Sequence, residues 1–154
     1  MRRRGVTLLE LLIVVSLIGL LVGISYPSVS AGVDSLRLRE AADGIAGLWN
    51  AALNRAERRQ EIVEVEIAPA EGRLRLRSSG ASEPQDFALS QGIRIRRLAP
   101  EAPAEPDQPR RFALFPGGTL PRVVIELENR RGARRIVRLD PILGLPRVET
   151  PNEP

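Results

Sequence analysis

Glu10 is the one charged residue inside an otherwise apolar run from Val6 to Tyr26. A carboxylate in hydrocarbon costs at least a few kcal/mol, so it must pair with a cation or take up a proton. Its chemistry is therefore that of a buried ion pair, not of a surface charge. A second group that could act chemically is the cluster Arg130, Arg131, Arg134, Arg135 and Arg138. Guanidinium groups gathered in this way can hold phosphate oxygens. The plainer reading is a solvated hairpin balanced by Glu126, Glu128 and Asp140, and that reading is preferred.

Other chemistries are excluded by residue type. The chain of 154 residues has no Cys and no His. Disulfides, thiolate metal sites, cysteine nucleophiles and the usual general base are all absent. No pairing of acids on a cleft-like motif replaces them, so no catalytic residue is assigned and no enzyme activity is expected. No cofactor or metal is expected either. Aromatic residues are few (3%), too few for a stacking platform on single-stranded nucleic acid. The sequence pI near 11.0 is misleading as a sign of nucleic-acid binding. All 23 basic residues are Arg, and without Lys or His almost nothing titrates between the carboxylates and pH 10.

The elements that must position Glu10 begin with the apolar run itself. At about 1.5 Å per residue a helix over Val6–Tyr26 spans about 31 Å, enough to cross a hydrocarbon core. Arg2, Arg3 and Arg4 precede it, and such a cluster stays on the cytoplasmic side. Three readings of residues 1–27 compete. A secretory signal would be cleaved near Val29-Ser30-Ala31. A plain anchor leaves Glu10 unexplained. The third rests on Gly5-Val6-Thr7-Leu8-Leu9-Glu10, which after a short Arg-rich leader resembles the class III signal of type IV pilins and pseudopilins.

That resemblance implies a prepilin peptidase that cuts between Gly5 and Val6 and methylates the new amine of Val6. Gly5 offers no side chain to obstruct an extended backbone in a protease cleft. Val6 stands where phenylalanine is the commoner family residue. In the family the glutamate pairs with the free amine of a neighbouring subunit, which implies an assembly role for Glu10. The pairing would neutralise both charges in a low-dielectric filament interior. Loss of Arg2, Arg3 and Arg4 from 23 basic residues would leave 20 against 19 acidic, and the net charge would fall from +4 to +1.

Pro27 ends the apolar segment, and a helix kink or local break is expected there. Pilin-like chains commonly carry a proline at this place. Gly19 and Gly23 form a small-xxx-small pair that permits close helix approach, or a chance occurrence. Beyond, Leu38, Ala41, Ala42, Ile45, Leu48, Trp49, Ala52 and Leu53 recur at three- and four-residue spacing. They predict an amphipathic helix over about 30–59 with its stripe on a folded domain. Trp49 on that stripe reads as core in preference to a binding site. Arg55–Arg59 reads as a solvated helix end.

Short strands follow. Period-two alternation marks Ile62–Ile67 and Leu74–Leu76 as a hairpin whose acidic and basic outer faces can pair. Phe87 and Leu89, Ile93–Leu98 and Phe112–Phe115 mark further strands. Val123–Glu128, with Val124 breaking the alternation, returns through Ile136–Leu139, and Val148 closes a last edge. Residues 99–110 are Pro-rich and read as a mobile exposed loop. The tail 150–154 is expected to be disordered.

The fold class is α+β: a long N-terminal helix, transmembrane half plus amphipathic half, packed on an antiparallel β-domain. This is pilin-like. In detail it resembles the H-type minor pseudopilins of the type II secretion system, through the Phe112–Phe115 strand, Pro116-Gly117-Gly118, the hairpin and Gly144–Val148. No acidic loop near the C-terminus resembles the calcium site of a major pseudopilin. The expected organisation is a cleaved leader 1–5, a transmembrane helix half 6–27 and a periplasmic domain 28–149, with its β-domain at about 61–149. The resemblance implies a single-pass inner-membrane protein, N-terminus cytoplasmic, assembled in a periplasmic pseudopilus. Implied partners are other pseudopilins, the prepilin peptidase, the inner-membrane assembly platform and the membrane, without nucleic acid. A second reading is a minor pilin of a type IV pilus, whose Arg cluster would hold DNA during uptake.

Overall fold

The computed structural model describes residues 7–80, 83–101, 107–142 and 144–151, with the side chains of 24–30 outside the described set. Its order is α1 (Leu8–Arg59), then β1 (Val63–Ala68), β2 (Arg73–Ser78), β3 (Gln85–Ala88), β4 (Ile93–Ala99), β5 (Arg110–Leu114), β6 (Val123–Asn129), β7 (Arg134–Asp140) and β8 (Leu145–Glu149). The chain divides into two compact units, Met1–Val33 and Asp34–Pro154. Asp34 is held by groups of the second unit.

In the second unit the strands form two antiparallel sheets, ordered β3-β2-β1-β5 and β4-β6-β7-β8. Apolar side chains at alternate positions face inward, as a pleat requires. Val65 faces Leu76 on one side and Phe112 on the other, and Ile125 faces Leu98 and Val137. These residues share one core with the helical stripe Leu38, Ala41, Ala42, Ile45, Leu48, Trp49 and Ala52. Leu53 is only partly buried, while Ala56 extends the stripe by a further turn. Trp49 is core, as its place on the stripe predicts, with its ring edge-on to Phe112 at 6.2 Å and 65°.

Several details depend on close approach. A Cβ on Gly44 would lie 2.5 Å from the Phe87 ring, so the missing side chain is the seat for β3. Ile95 and Leu98 both face inward although three apart, because a bulge between Ile95 and Arg97 takes up the odd residue. Arg110 opens β5 and bridges the seam between the sheets: Nη2 donates to Leu98 O at 2.7 Å, and Nη1 donates to Pro100 O.

Some boundaries and pairings differ from the alternation. β5 starts at Arg110 and leaves Phe115 outside, 54% exposed. β7 starts at Arg134, two polar residues before its first apolar one, because ladder pairing with β6 continues to Glu128. Val124 keeps the alternation; the exception is Glu128, buried on the outer face. Glu64 and Glu66 lie opposite Arg77 and Arg75, yet Arg111 of β5 makes their ion pairs, 2.8 Å to Glu66. Arg75 turns instead to Asp86 on β3 at 2.7 Å. Residues 102–106 of the Pro-rich loop and 152–154 of the tail lie outside the described residues.

Candidate assembly segment and arginine cluster

The first unit presents an apolar rod. Every large apolar side chain from Leu8 to Val22 is 45–82% exposed, so among the described residues no face of this stretch of α1 is covered. A helix apolar all round needs burial by something else. Glu10 sits in its first turn. Thr7 caps the helix: its Oγ1 accepts the Glu10 N–H at 3.3 Å and its carbonyl accepts the Leu11 N–H at 3.2 Å. The sequence signal for this was present, a Thr followed three residues later by Glu. Gly5 and Val6 lie outside the described residues. α1 continues on both sides of Pro27.

Among the described residues no helix is long and apolar enough to cross a membrane. The apolar stretch with described side chains runs only from Leu8 to Gly23. At Gly19 and Gly23 nothing lies within 4 Å of where a Cβ would stand, so both remain open to a neighbouring helix.

The arginine cluster is divided by the pleat. Arg134 and Arg138 point to the outer face of β7, and Arg135 to the side of Val137 and Leu139. Arg134 lies 3.6 Å from Glu128 and 3.7 Å from Glu126. Arg138 lies 3.6 Å from Glu149. Arg135 donates to the Thr150 hydroxyl. Arg131 pairs with Asp34 of α1 at 3.1 Å. Asp140 accepts the Ile142 N–H at 2.8 Å in the turn before β8. Arg130 lies beside Arg131 on the turn between β6 and β7 and is exposed.

Glu128 is the electrostatic centre of this sheet. Arg94 Nε donates to it at 3.0 Å, and Arg96 lies 3.4 Å away. The hydrogen bond from Arg94, with the nearby charges of Arg94, Arg96 and Arg134, holds its carboxyl below the usual glutamate range. Arg75 does the same for Asp86. A carboxyl whose folded pKa is depressed stabilises the fold above its unfolded pKa, and that stability is lost as pH falls through the folded one. Thermal unfolding followed from pH 6 down to pH 3 is therefore expected to show falling stability below about pH 4.5. Glu128→Gln flattens that slope, because Gln has no proton to take up; an unchanged slope would mean that Glu128 is not coupled to its arginines.

Comparison with known proteins agrees with these features. Residues 1–26 match the model of the prokaryotic N-terminal methylation motif. Together, motif and architecture define the class: a pilin-like α+β fold behind a prepilin-type N-terminus. The particular likeness is to the minor pseudopilin EpsH from the type 2 secretion system of Vibrio cholerae, with a TM-score of 0.58 and 13% identity. The match covers 76% of this chain and 99% of that one, and it is a likeness of fold. No curated protein matches the sequence.

Proposed function

We propose that this chain is a minor pseudopilin, a structural subunit of the periplasmic pseudopilus of a type II secretion system. The observation that carries the reading is Glu10, a single carboxylate in the first turn of an exposed apolar rod, within a methylation motif and ahead of a pseudopilin fold. In this reading the prepilin peptidase cuts between Gly5 and Val6 and methylates Val6. Helix residues 6–27 then hold the chain in the inner membrane, with the cytoplasmic side marked by Arg2–Arg4 and the second unit in the periplasm. Other pseudopilins cover the rod, and Glu10 meets a neighbour's amine in the dry interior. Pro27 lets the helix bend as it leaves the membrane. Growth of the filament on its assembly platform would move folded proteins through the outer membrane, with no catalysis by this chain.

A minor pilin of a type IV pilus shares the motif, and its DNA-binding form would need the arginine cluster free. Arg131, Arg134 and Arg138 instead meet Asp34, Glu128 and Glu149, which favours the secretion reading. Mass spectrometry of the mature chain tests the processing step. A first residue Val6 carrying one methyl supports the proposal; a start at Gly32 supports a cleaved secretory signal and defeats it. Deletion of the gene should leave exoproteins in the periplasm while pili persist; the opposite pattern favours the type IV pilus.

A further inference from the structure

β8 is an edge of its sheet and pairs with β7 on one side only. Other edges in the second unit are short or closed. β3 has four residues, and Arg110 of β5 reaches β4 through Leu98 O and Pro100 O. A proline decides which way the backbone of β8 points. Opposed residues in an antiparallel pair exchange two hydrogen bonds or none, in alternation. Pro146 stands opposite Leu139 and has no N–H to give, so that pair is of the second kind. Leu145, Arg147 and Glu149 therefore bond to β7, while Pro146 and Val148 turn their backbone groups outward. The open edge offers the Val148 N–H and the carbonyls of Pro146 and Val148. It is held at both ends: Asp140 O accepts the Gly144 N–H at 3.0 Å before the strand, and Arg135 donates to the Thr150 hydroxyl after it.

Apolar and charged side chains lie exposed along this edge. Val148 extends the inner row of Val137, and Leu145 and Arg147 lie on the outer face. Arg147 stands directly opposite Arg138, an unfavourable like-charge pair. Arg138 turns to Glu149 at 3.6 Å, whereas Arg147 is exposed and forms no ion pair among the described residues. We propose that β8 is a strand-addition site for an acidic, extended segment of another protein. The added strand runs antiparallel to β8, exchanges two hydrogen bonds with Val148 and donates one to Pro146 O. It sets a carboxylate beside Arg147 and an apolar side chain beside Leu145. The donor missing at Pro146 leaves the edge one bond short, which limits the registers it accepts. A second copy of this chain fits less well. Edge to edge it brings Arg147 against another Arg147, or against a Glu149 that Arg138 already holds. The edge lies within the second unit and needs neither the anchor nor the filament.

The test uses the full chain in detergent micelles and two peptides: acetyl-Thr-Thr-Val-Glu-Thr-Val-Thr-amide, and the same peptide with Lys in place of Glu. Amide hydrogen exchange is read at Val148, whose N–H is open in the free chain, against Arg147 and Glu149, whose N–H groups bond to β7. The Glu peptide is expected to slow exchange at Val148 about threefold when present at twice its Kd. The Lys peptide is expected to bind about fivefold more weakly. R147Q makes the two peptides equal and R147E reverses their order, with circular dichroism confirming that both variants are folded. No slowing by either peptide overturns the site. Equal binding of the two by the wild type, or an unchanged preference in R147Q, overturns the role of Arg147. Exchange at Val148 that slows as the chain alone is concentrated assigns the edge to a second copy and overturns the foreign strand. Exchange that is slow at every concentration, and is freed by removing residues 152–154, assigns it to the chain's own tail and overturns the foreign strand as well.

Discussion

Glu10→Leu is expected to remove the chain from filaments while leaving its second unit folded. The substitution keeps the apolar rod and its Thr7 cap, since Thr7 Oγ1 accepts a backbone N–H that Leu supplies as Glu does. What it removes is the one acid between Leu8 and Val22, a stretch whose large apolar side chains are exposed among the described residues. In the proposed filament that loss leaves a neighbour's amine buried without a counter-charge. Removing one partner of a buried pair costs about 3–5 kcal/mol, at least about a hundredfold in incorporation. Cross-linking of the filament fraction, against the membrane fraction of the same cells, reads that ratio. Incorporation at the wild-type level would sink the assembly role of Glu10. Loss of the folded unit as well would show that the effect is not specific to assembly.

Trp49→Ala should have the largest effect on the stability of the second unit. The indole is 1% exposed, lies against Phe112 and belongs to the one core shared by α1 and both sheets. Large aromatic-to-alanine changes in cores cost about 3–5 kcal/mol through lost burial and the cavity left behind. Since whole domains are stable by only about 5–15 kcal/mol, this change brings the unit near its unfolding limit. Leu36→Ala, at a side chain 60% exposed on the same helix, should change stability by less than about 0.5 kcal/mol. Denaturant midpoints of the three chains in one detergent give the comparison. Similar midpoints for Trp49→Ala and the parent would mean that Trp49 serves some purpose other than packing.

Much of this molecule is written in short-range patterns. The helical stripe from Leu38 to Ala52 and the alternation in β1, β2 and β6 appear in the structure where the spacing predicts them, because burying one face imposes its period on the sequence. Turns at Gly72, Gly132 and Gly144 fall at glycines with φ of 60°, 81° and 68°, where other residues are strained. The N-terminal motif is legible for a different reason. In the proposed reading it is recognised by other proteins as a stretch of sequence, which needs no tertiary partner, and residues 1–26 match as a unit.

Pairing across long separations was not legible. Nothing local says that β5 joins β1, that Arg111 meets Glu66, or that Gly44 leaves room for Phe87. Those contacts depend on which sheet edge meets which, and many registers satisfy the same alternation. The arginine cluster shows the difference most clearly. In sequence it is one basic patch; in the fold the pleat separates its side chains, and carboxylates on α1, β6 and β8 meet Arg131, Arg134 and Arg138. Composition and period follow from what each residue buries, so the chain alone carries them. The positions of opposite charges come from strands and a helix brought together over long loops, so only the folded chain shows which arginines of the cluster they reach.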